Sequence, residues 1–165
     1  MEYALTLTTI AGLPAHVLLV HAMVVLAPLT ALLEILCALW PAARRRLVWL
    51  MLAFAVVTTA LTPITTNAGE WLYDRERHHS DILNTHADRG GWMIYFSIAM
   101  LVVGIVLALV HWRESRSAKP GMMTNVVVAV LAIAVGAGSI VQVVRIGDSG
   151  ARSVWANELT KSDKP

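Results

Sequence analysis

The sequence is poor in charged residues and in cysteine. Only 15% of its 165 residues are charged, whereas 57% are hydrophobic, and this balance excludes an ordinary soluble domain. The single cysteine, Cys37, cannot form an intramolecular disulfide and is expected to be a small buried apolar residue. The sequence contains no G-x-S-x-G elbow, Walker A loop, H-E-x-x-H motif or dinucleotide fingerprint, so no conventional enzyme class is indicated.

The apolar residues come in four blocks of membrane-spanning length. A helix needs about 20 apolar residues to cross roughly 30 Å of hydrocarbon. We therefore predict an all-α, polytopic membrane protein that forms one domain over residues 1–165. The predicted transmembrane helices are 17–40, 47–66, 92–112 and 126–144. Most of the remaining polar chain lies in an insert at 67–91 and in a C-terminal tail at 145–165.

Tryptophan and arginine indicate how the spans are oriented. Every tryptophan lies at or just beyond a predicted span boundary, where indoles are favoured: Trp40, Trp49, Trp71, Trp92, Trp112 and Trp155. Basic residues gather in the two short loops, around 44–46 and 113–119, which the positive-inside rule places in the cytoplasm. Both termini and the insert should then face outward. Because topology explains the pI of about 9.0, no nucleic-acid partner is expected.

The insert at 67–91 contains no proline and has the pattern of an amphipathic helix. We predict an outer amphipathic helix between the second and third spans, lying over the mouth of the bundle and ended by Gly90 and Gly91. Such a helix would bring its histidines close to those of the first span.

Five of the six histidines fall at the outer end of the predicted bundle: His16, His21, His78, His79 and His86. Neutral imidazole binds haem iron, copper and zinc, and helix bundles hold such groups between residues of different helices. In that case His16 or His21 would pair with His79 or His86, and the cofactor would be haem b or a transition metal. No H-x-x-x-H, C-x-x-C or C-x-x-C-H spacing specifies the ligands further.

Three other residues are candidates for function: Glu34, Asp148 and Arg152. Glu34 lies deep in the first span, where an ionisable side chain is costly, so it either handles protons or ions or fixes helix packing. Asp148, at the outer end of the fourth span, either orients a histidine or pairs with Arg152 or Arg145.

Small residues in the fourth span favour close helix packing. The pairs Ala132/Gly136 and Ala134/Gly138 have the small-xxx-small spacing, which serves contacts inside a bundle or between copies of the chain. The expected partners are therefore the lipid bilayer, a larger membrane or redox complex, and a second copy packed through the fourth helix.

Three segments resemble one protein family. The opening at 12–16, with Val20 and His21 after it, the histidine-containing insert and the turn at 147–151 look like the bacterial membrane proteins of the domain of unknown function 2231. In that family proline usually follows each of the two first-helix histidines, and the closing turn often has histidine where this chain has Asp148. The resemblance implies a four-helix module of the bacterial cytoplasmic membrane, with redox proteins as companions, and implies no enzyme class.

Three interpretations of function are open at this point. The main one is a binding or accessory module of a membrane complex, whose outer face is rich in histidine and carboxylate. The alternatives are a haem- or metal-binding redox protein, and proton or ion handling through Glu34.

Overall fold

The computed structural model describes residues 9–10, 12–116 and 121–162. Four helices form almost all of this part of the chain: α1 (Ala15–Leu39), α2 (Pro41–Tyr73), α3 (Asp81–Ser115) and α4 (Met122–Ser162). A short antiparallel hairpin of β1 (Thr9–Ile10) and β2 (Leu13–Pro14) precedes them, with Thr9 opposite Pro14. Gly12 lies in its turn with φ of 81°, a conformation that favours glycine.

All four helices are long and apolar enough to span a membrane, which confirms the predicted all-α membrane class. Large apolar side chains on their outer surfaces, such as Val25, Leu32 and Val102, are exposed in the isolated chain and suit contact with lipid. In α3, Trp92 and Trp112 are 20 residues apart, or about 30 Å of helix, which matches the hydrocarbon thickness. Both ends of α3 therefore extend beyond the apolar layer.

The insert at 67–91 does not form the separate surface helix that the sequence predicted. Instead, α2 continues to Tyr73 and α3 begins at Asp81, so only a short loop joins them. Ser80 caps α3 by accepting a hydrogen bond from the backbone N–H of Leu83 at 3.2 Å. Gly90 and Gly91 lie inside α3 and do not end it, because a cost of about 1 kcal/mol per glycine is small beside the packing of a long helix.

The helices pack in a ring in chain order, with α4 closing against α1. Consequently α1 and α3 face each other across the bundle axis and make few direct contacts. Two apolar clusters form the core, one around Met51 and Leu107 and the other around Met23 and Met100. The predicted small-residue contact in α4 lies inside this bundle, since a Cβ on Gly136 would meet the Ala31 carbonyl oxygen and the Ile35 side chain of α1.

The hairpin α1–α2 and the hairpin α3–α4 repeat one burial pattern. At a constant offset of 70 residues, buried positions of α1 match buried positions of α3: Met23 and Met93, Ala27 and Ser97, Thr30 and Met100, Glu34 and Gly104, Cys37 and Leu107, Ala38 and Ala108. At an offset of 81 residues, buried positions of α2 match those of α4: Met51 and Ala132, Ala55 and Gly136, Thr58 and Ser139, Thr62 and Val143, Ala68 and Ser149. The bundle is therefore built from two similar halves.

A buried arginine connects all four helices at one end, which we call the arginine end. Arg44 of α2 is 1% exposed and makes a bidentate ion pair with Glu114 of α3, at 2.6 Å and 3.2 Å. It also donates to the Cys37 carbonyl of α1 at 3.3 Å and to the Asn125 side chain of α4 at 3.4 Å. The sequence had indicated only a topological role for Arg44, whereas the structure adds a buried packing role.

Candidate functional site

Two histidines meet across the bundle at the opposite end, which we call the histidine end. His16 is the second residue of α1 and His86 lies in the second turn of α3, so the two rings come from helices that face each other. Their ring centres are 6.3 Å apart and their planes cross at 81°. Both residues are partly buried. Of the pairings that the sequence left open, the structure brings together His16 and His86.

Each of these rings donates a hydrogen bond to the neighbouring helix through Nδ1. His16 Nδ1 lies 2.9 Å from the Thr65 carbonyl oxygen of α2, and His86 Nδ1 lies 3.1 Å from the Ile146 carbonyl oxygen of α4. A carbonyl oxygen can only accept, so Nδ1 is the protonated nitrogen in both rings. In the neutral imidazole, Nε2 then keeps its lone pair and is the nitrogen available to a metal.

Glycines allow both rings to lie against their neighbouring helices. A Cβ on Gly69 of α2 would be 2.8 Å from His16 Nδ1, and a Cβ on Gly150 of α4 would be 3.0 Å from His86 Cε1. Real Cβ atoms essentially never show the first distance, and the second is tighter than nine in ten real Cβ contacts. In each case the glycine follows the accepting carbonyl by four residues, one helical turn later.

Ser149 distinguishes the surroundings of the two imidazoles. The Ser149 hydroxyl lies 3.4 Å from His86 Nδ1 and is bonded to the carbonyl oxygens of Arg145 and Ile146. The matching position on α2 is Ala68, which has no polar side chain. His86 therefore has a second acceptor beside Nδ1 that His16 lacks at the equivalent place.

The other histidines that the sequence suggested as ligands lie apart from this pair. His21 is exposed and bonds through Nδ1 to the Val17 carbonyl of its own helix. His79, in the loop between α2 and α3, stacks on the Tyr73 ring at 4.0 Å and donates from Nε2 to the Tyr73 carbonyl. His78 is exposed in the same loop.

The remaining sequence candidates are also separate from the pair. Asp148 forms an exposed ion pair with Arg152 at 2.9 Å, one turn along α4, and such pairs contribute little to stability. Glu34 is completely buried, and neither of its carboxyl oxygens has a hydrogen-bond partner. It lies 18 residues from His16, about 27 Å along α1.

The paired site offers two imidazoles as donors, those of His16 and His86. Within residues 9–10, 12–116 and 121–162, no group of three or more His, Cys, Asp or Glu side chains could hold a metal ion. Sequence reasoning missed Gly69, Gly150 and the two accepting carbonyls. The sequence did contain one signal for the two glycines. Each half of the bundle has a histidine near the start of its first helix and a glycine toward the end of its second helix.

The bundle and the site together define the class: a four-helix membrane protein in which two histidines meet at the histidine end. The model of one family, described as predicted membrane protein with the domain of unknown function 2231 (DUF2231), matches residues 12–163. The chain belongs to this family, as its opening segment and closing turn indicated. Comparison with curated proteins and with solved structures gives no match.

Proposed function

We propose that this protein binds one haem b, with His16 and His86 as the two axial ligands, and carries electrons at the outer side of a bacterial cytoplasmic membrane. The observation that supports this most is the pair of imidazoles, 6.3 Å between ring centres, held by two helices that face each other across the bundle. Haem bound there would supply a one-electron redox centre.

The spacing of the two rings suits one metal between them. Two imidazoles that bind the same metal in line through Nε2, each at about 2.0 Å, have ring centres about 6 Å apart. The spacing of His16 and His86 agrees with that arrangement. Both rings have Nδ1 engaged by a backbone carbonyl, which is how proteins usually orient a ligating histidine.

The number of donors favours haem over a bare ion. A structural zinc ion takes four protein ligands and a catalytic one takes three, whereas haem iron receives four nitrogens from the porphyrin and needs only axial ligands from the protein. The described part of the chain offers two facing imidazoles at this site and no cluster of three donors.

The position of the pair supports exchange of electrons with a partner outside the apolar layer. His86 precedes Trp92 by six residues, about 9 Å along α3, and Trp92 marks the membrane interface. We prefer this function to the accessory-module interpretation because the paired rings are a specific observation. A larger redox complex would still be the natural donor or acceptor.

The first test is the haem content of the protein purified in detergent from haem-replete cells. We expect one haem b per chain by the pyridine haemochrome assay, with a Soret band that shifts on reduction. A colourless protein that also gains no Soret band when haemin is added would contradict the proposal. A colourless protein with one equivalent of copper would keep the histidine pair as a metal site and reject haem.

Glu34 supports a second candidate function, proton handling. An ionised carboxylate without any partner is costly at that depth, so the buried Glu34 carboxyl is expected to be neutral at rest and able to give up a proton when a nearby charge changes. Replacement by glutamine keeps the shape and removes that proton.

We expect Glu34→Gln to lower proton flux into vesicles that contain the reconstituted protein by about tenfold or more, since only this acid is deeply buried in the described spans. Thr30→Val, one turn away on α1, removes a buried hydroxyl without removing the acid and serves as the control. Equal flux in the wild type and in Glu34→Gln would reject a proton function for this residue.

A further inference from the structure

We infer that Gly69 and Gly150 are matched positioning residues of the His16–His86 pair. Because neither has a Cβ, each lets one imidazole lie against the neighbouring helix and donate from Nδ1 to a backbone carbonyl, which leaves both Nε2 atoms for the cofactor. The inference rests on the proposed function for its cofactor, but its geometric part holds with or without haem.

On the first half of the bundle, Gly69 meets the His16 ring at three atoms. A Cβ there would lie 2.8 Å from Nδ1, 2.9 Å from Cε1 and 3.6 Å from Cγ. The ring cannot retreat without lengthening its 2.9 Å hydrogen bond to the Thr65 carbonyl. Any larger side chain at position 69 would therefore compete directly with that hydrogen bond.

On the second half, Gly150 meets the His86 ring in the same way. A Cβ there would lie 3.0 Å from Cε1, 3.2 Å from Nδ1 and 3.7 Å from Nε2. The hydrogen bond at risk is the 3.1 Å contact of His86 Nδ1 with the Ile146 carbonyl.

The arrangement occurs twice at corresponding positions. The offset of 70 residues that relates the buried faces of α1 and α3 also relates His16 to His86, and the offset of 81 that relates α2 and α4 also relates Gly69 to Gly150. Other helical glycines contact no imidazole: a Cβ would meet nothing within 4 Å at Gly90, Gly91 or Gly147, and it would meet Met51, Ile35 or Phe96 at Gly104, Gly136 or Gly138. Contact with an imidazole is therefore a property of these two positions, not of helical glycines in this chain.

Fixing Nδ1 has a chemical consequence. A carbonyl that accepts from Nδ1 selects the tautomer whose Nε2 carries the lone pair and raises the basicity of the ligand, and loss of such a partner typically costs 10–100-fold in metal affinity. The alternative is that both glycines serve only close helix packing, in which case the imidazole tautomer would not depend on them.

The experiment compares Gly69→Ala and Gly150→Ala with the control Gly90→Ala in full-length protein labelled with ¹⁵N-histidine. Nitrogen chemical shifts report the tautomer in cofactor-free protein, and haemin titration reports affinity. We expect the wild type and the control to have His16 and His86 protonated at Nδ1, together with His21, whose Nδ1 donates to the Val17 carbonyl of its own helix. Each site variant should lose that tautomer at one ring and bind haem about tenfold or more weakly.

Retention of both Nδ1–H tautomers and of wild-type haem affinity in both site variants would overturn the inference. If the tautomers change as expected but the wild type binds no haem, the positioning role stands and the proposed function fails. If the wild type binds haem but the tautomers do not depend on either glycine, the proposed function stands and the positioning role fails.

Failure of Gly69→Ala to fold is resolved by the double variant His16→Ala/Gly69→Ala. Removal of the ring opens the space that the new Cβ needs, and alanine is the better helix former by about 1 kcal/mol. Recovery of folding in the double variant supports the contact with His16 as the reason for the glycine. Continued failure would show that Gly69 serves helix packing and would overturn the inference at that position.

Discussion

Replacement of His86 by alanine is expected to leave a folded membrane protein that retains almost no haem. The His86 ring is one of the two imidazoles that meet across the bundle, and His21 and His79 are bonded elsewhere in the described part of the chain. His16→Ala should have the same effect. The measurement is the ratio of haem to protein in fractions that elute as a single species from a sizing column.

Two neighbouring histidines provide the matched controls. His79→Ala removes a ring that stacks on Tyr73 in the loop, and His21→Ala removes one bonded to its own helix, so both variants should keep a full complement of haem. Haem loss in His79→Ala equal to that in His86→Ala would contradict the assignment of the ligands. Full haem content in His86→Ala would contradict it equally.

Arg44→Met is expected to cause the largest loss of stability, about 3–5 kcal/mol in the free energy of unfolding. The substitution leaves the Glu114 carboxylate without its bidentate partner and removes the donor to the Cys37 carbonyl. Unfolding of the detergent-solubilised protein by increasing fractions of SDS, followed by circular dichroism, measures the effect.

Arg45→Met is the control, because Arg45 is adjacent in sequence but exposed, and its replacement should change stability by no more than about 0.5 kcal/mol. The double variant Arg44→Met/Glu114→Leu should recover most of the loss, since it removes the unpaired charge along with its partner. Equal stabilities of Arg44→Met and Arg45→Met would show that the buried ion pair does not stabilise the bundle.

The sequence was sufficient for the membrane class and for the number of helices. The bilayer sets the length of an apolar block and the position of tryptophan for any span, whatever its tertiary contacts. The four helices of the structure agree with the four predicted blocks. Helix ends were less predictable. Gly90 and Gly91 looked like a terminator, but tertiary packing carries α3 through both of them.

Only part of the candidate site could be predicted from the sequence. Clustering of histidines at one end was visible, because residues in adjoining turns and loops share a level in the bundle. Which two of them meet depends on helix rotation, and that is set by packing along whole helices. Gly69 and Gly150 were missed as well, because a helical glycine has the same pattern whether or not an imidazole lies against it, and only the repeat between the two halves distinguishes these two.

The buried ion pair was hidden for a related reason. Arg44 stands in a run of three arginines, and the positive-inside rule explains all three without distinguishing them. Only the rotation of α2 places Arg44 inward, toward Glu114, and leaves Arg45 and Arg46 exposed.

The most direct test of the central claim is the electron paramagnetic resonance spectrum of the oxidised protein. Two imidazole ligands on one haem iron produce a strong field, so we expect a low-spin ferric signal from the wild type. In His16→Ala or His86→Ala, any haem that remains should be high-spin, because one axial ligand is missing. A high-spin signal from the wild type, or a low-spin signal that survives both substitutions, would show that His16 and His86 are not the two haem ligands.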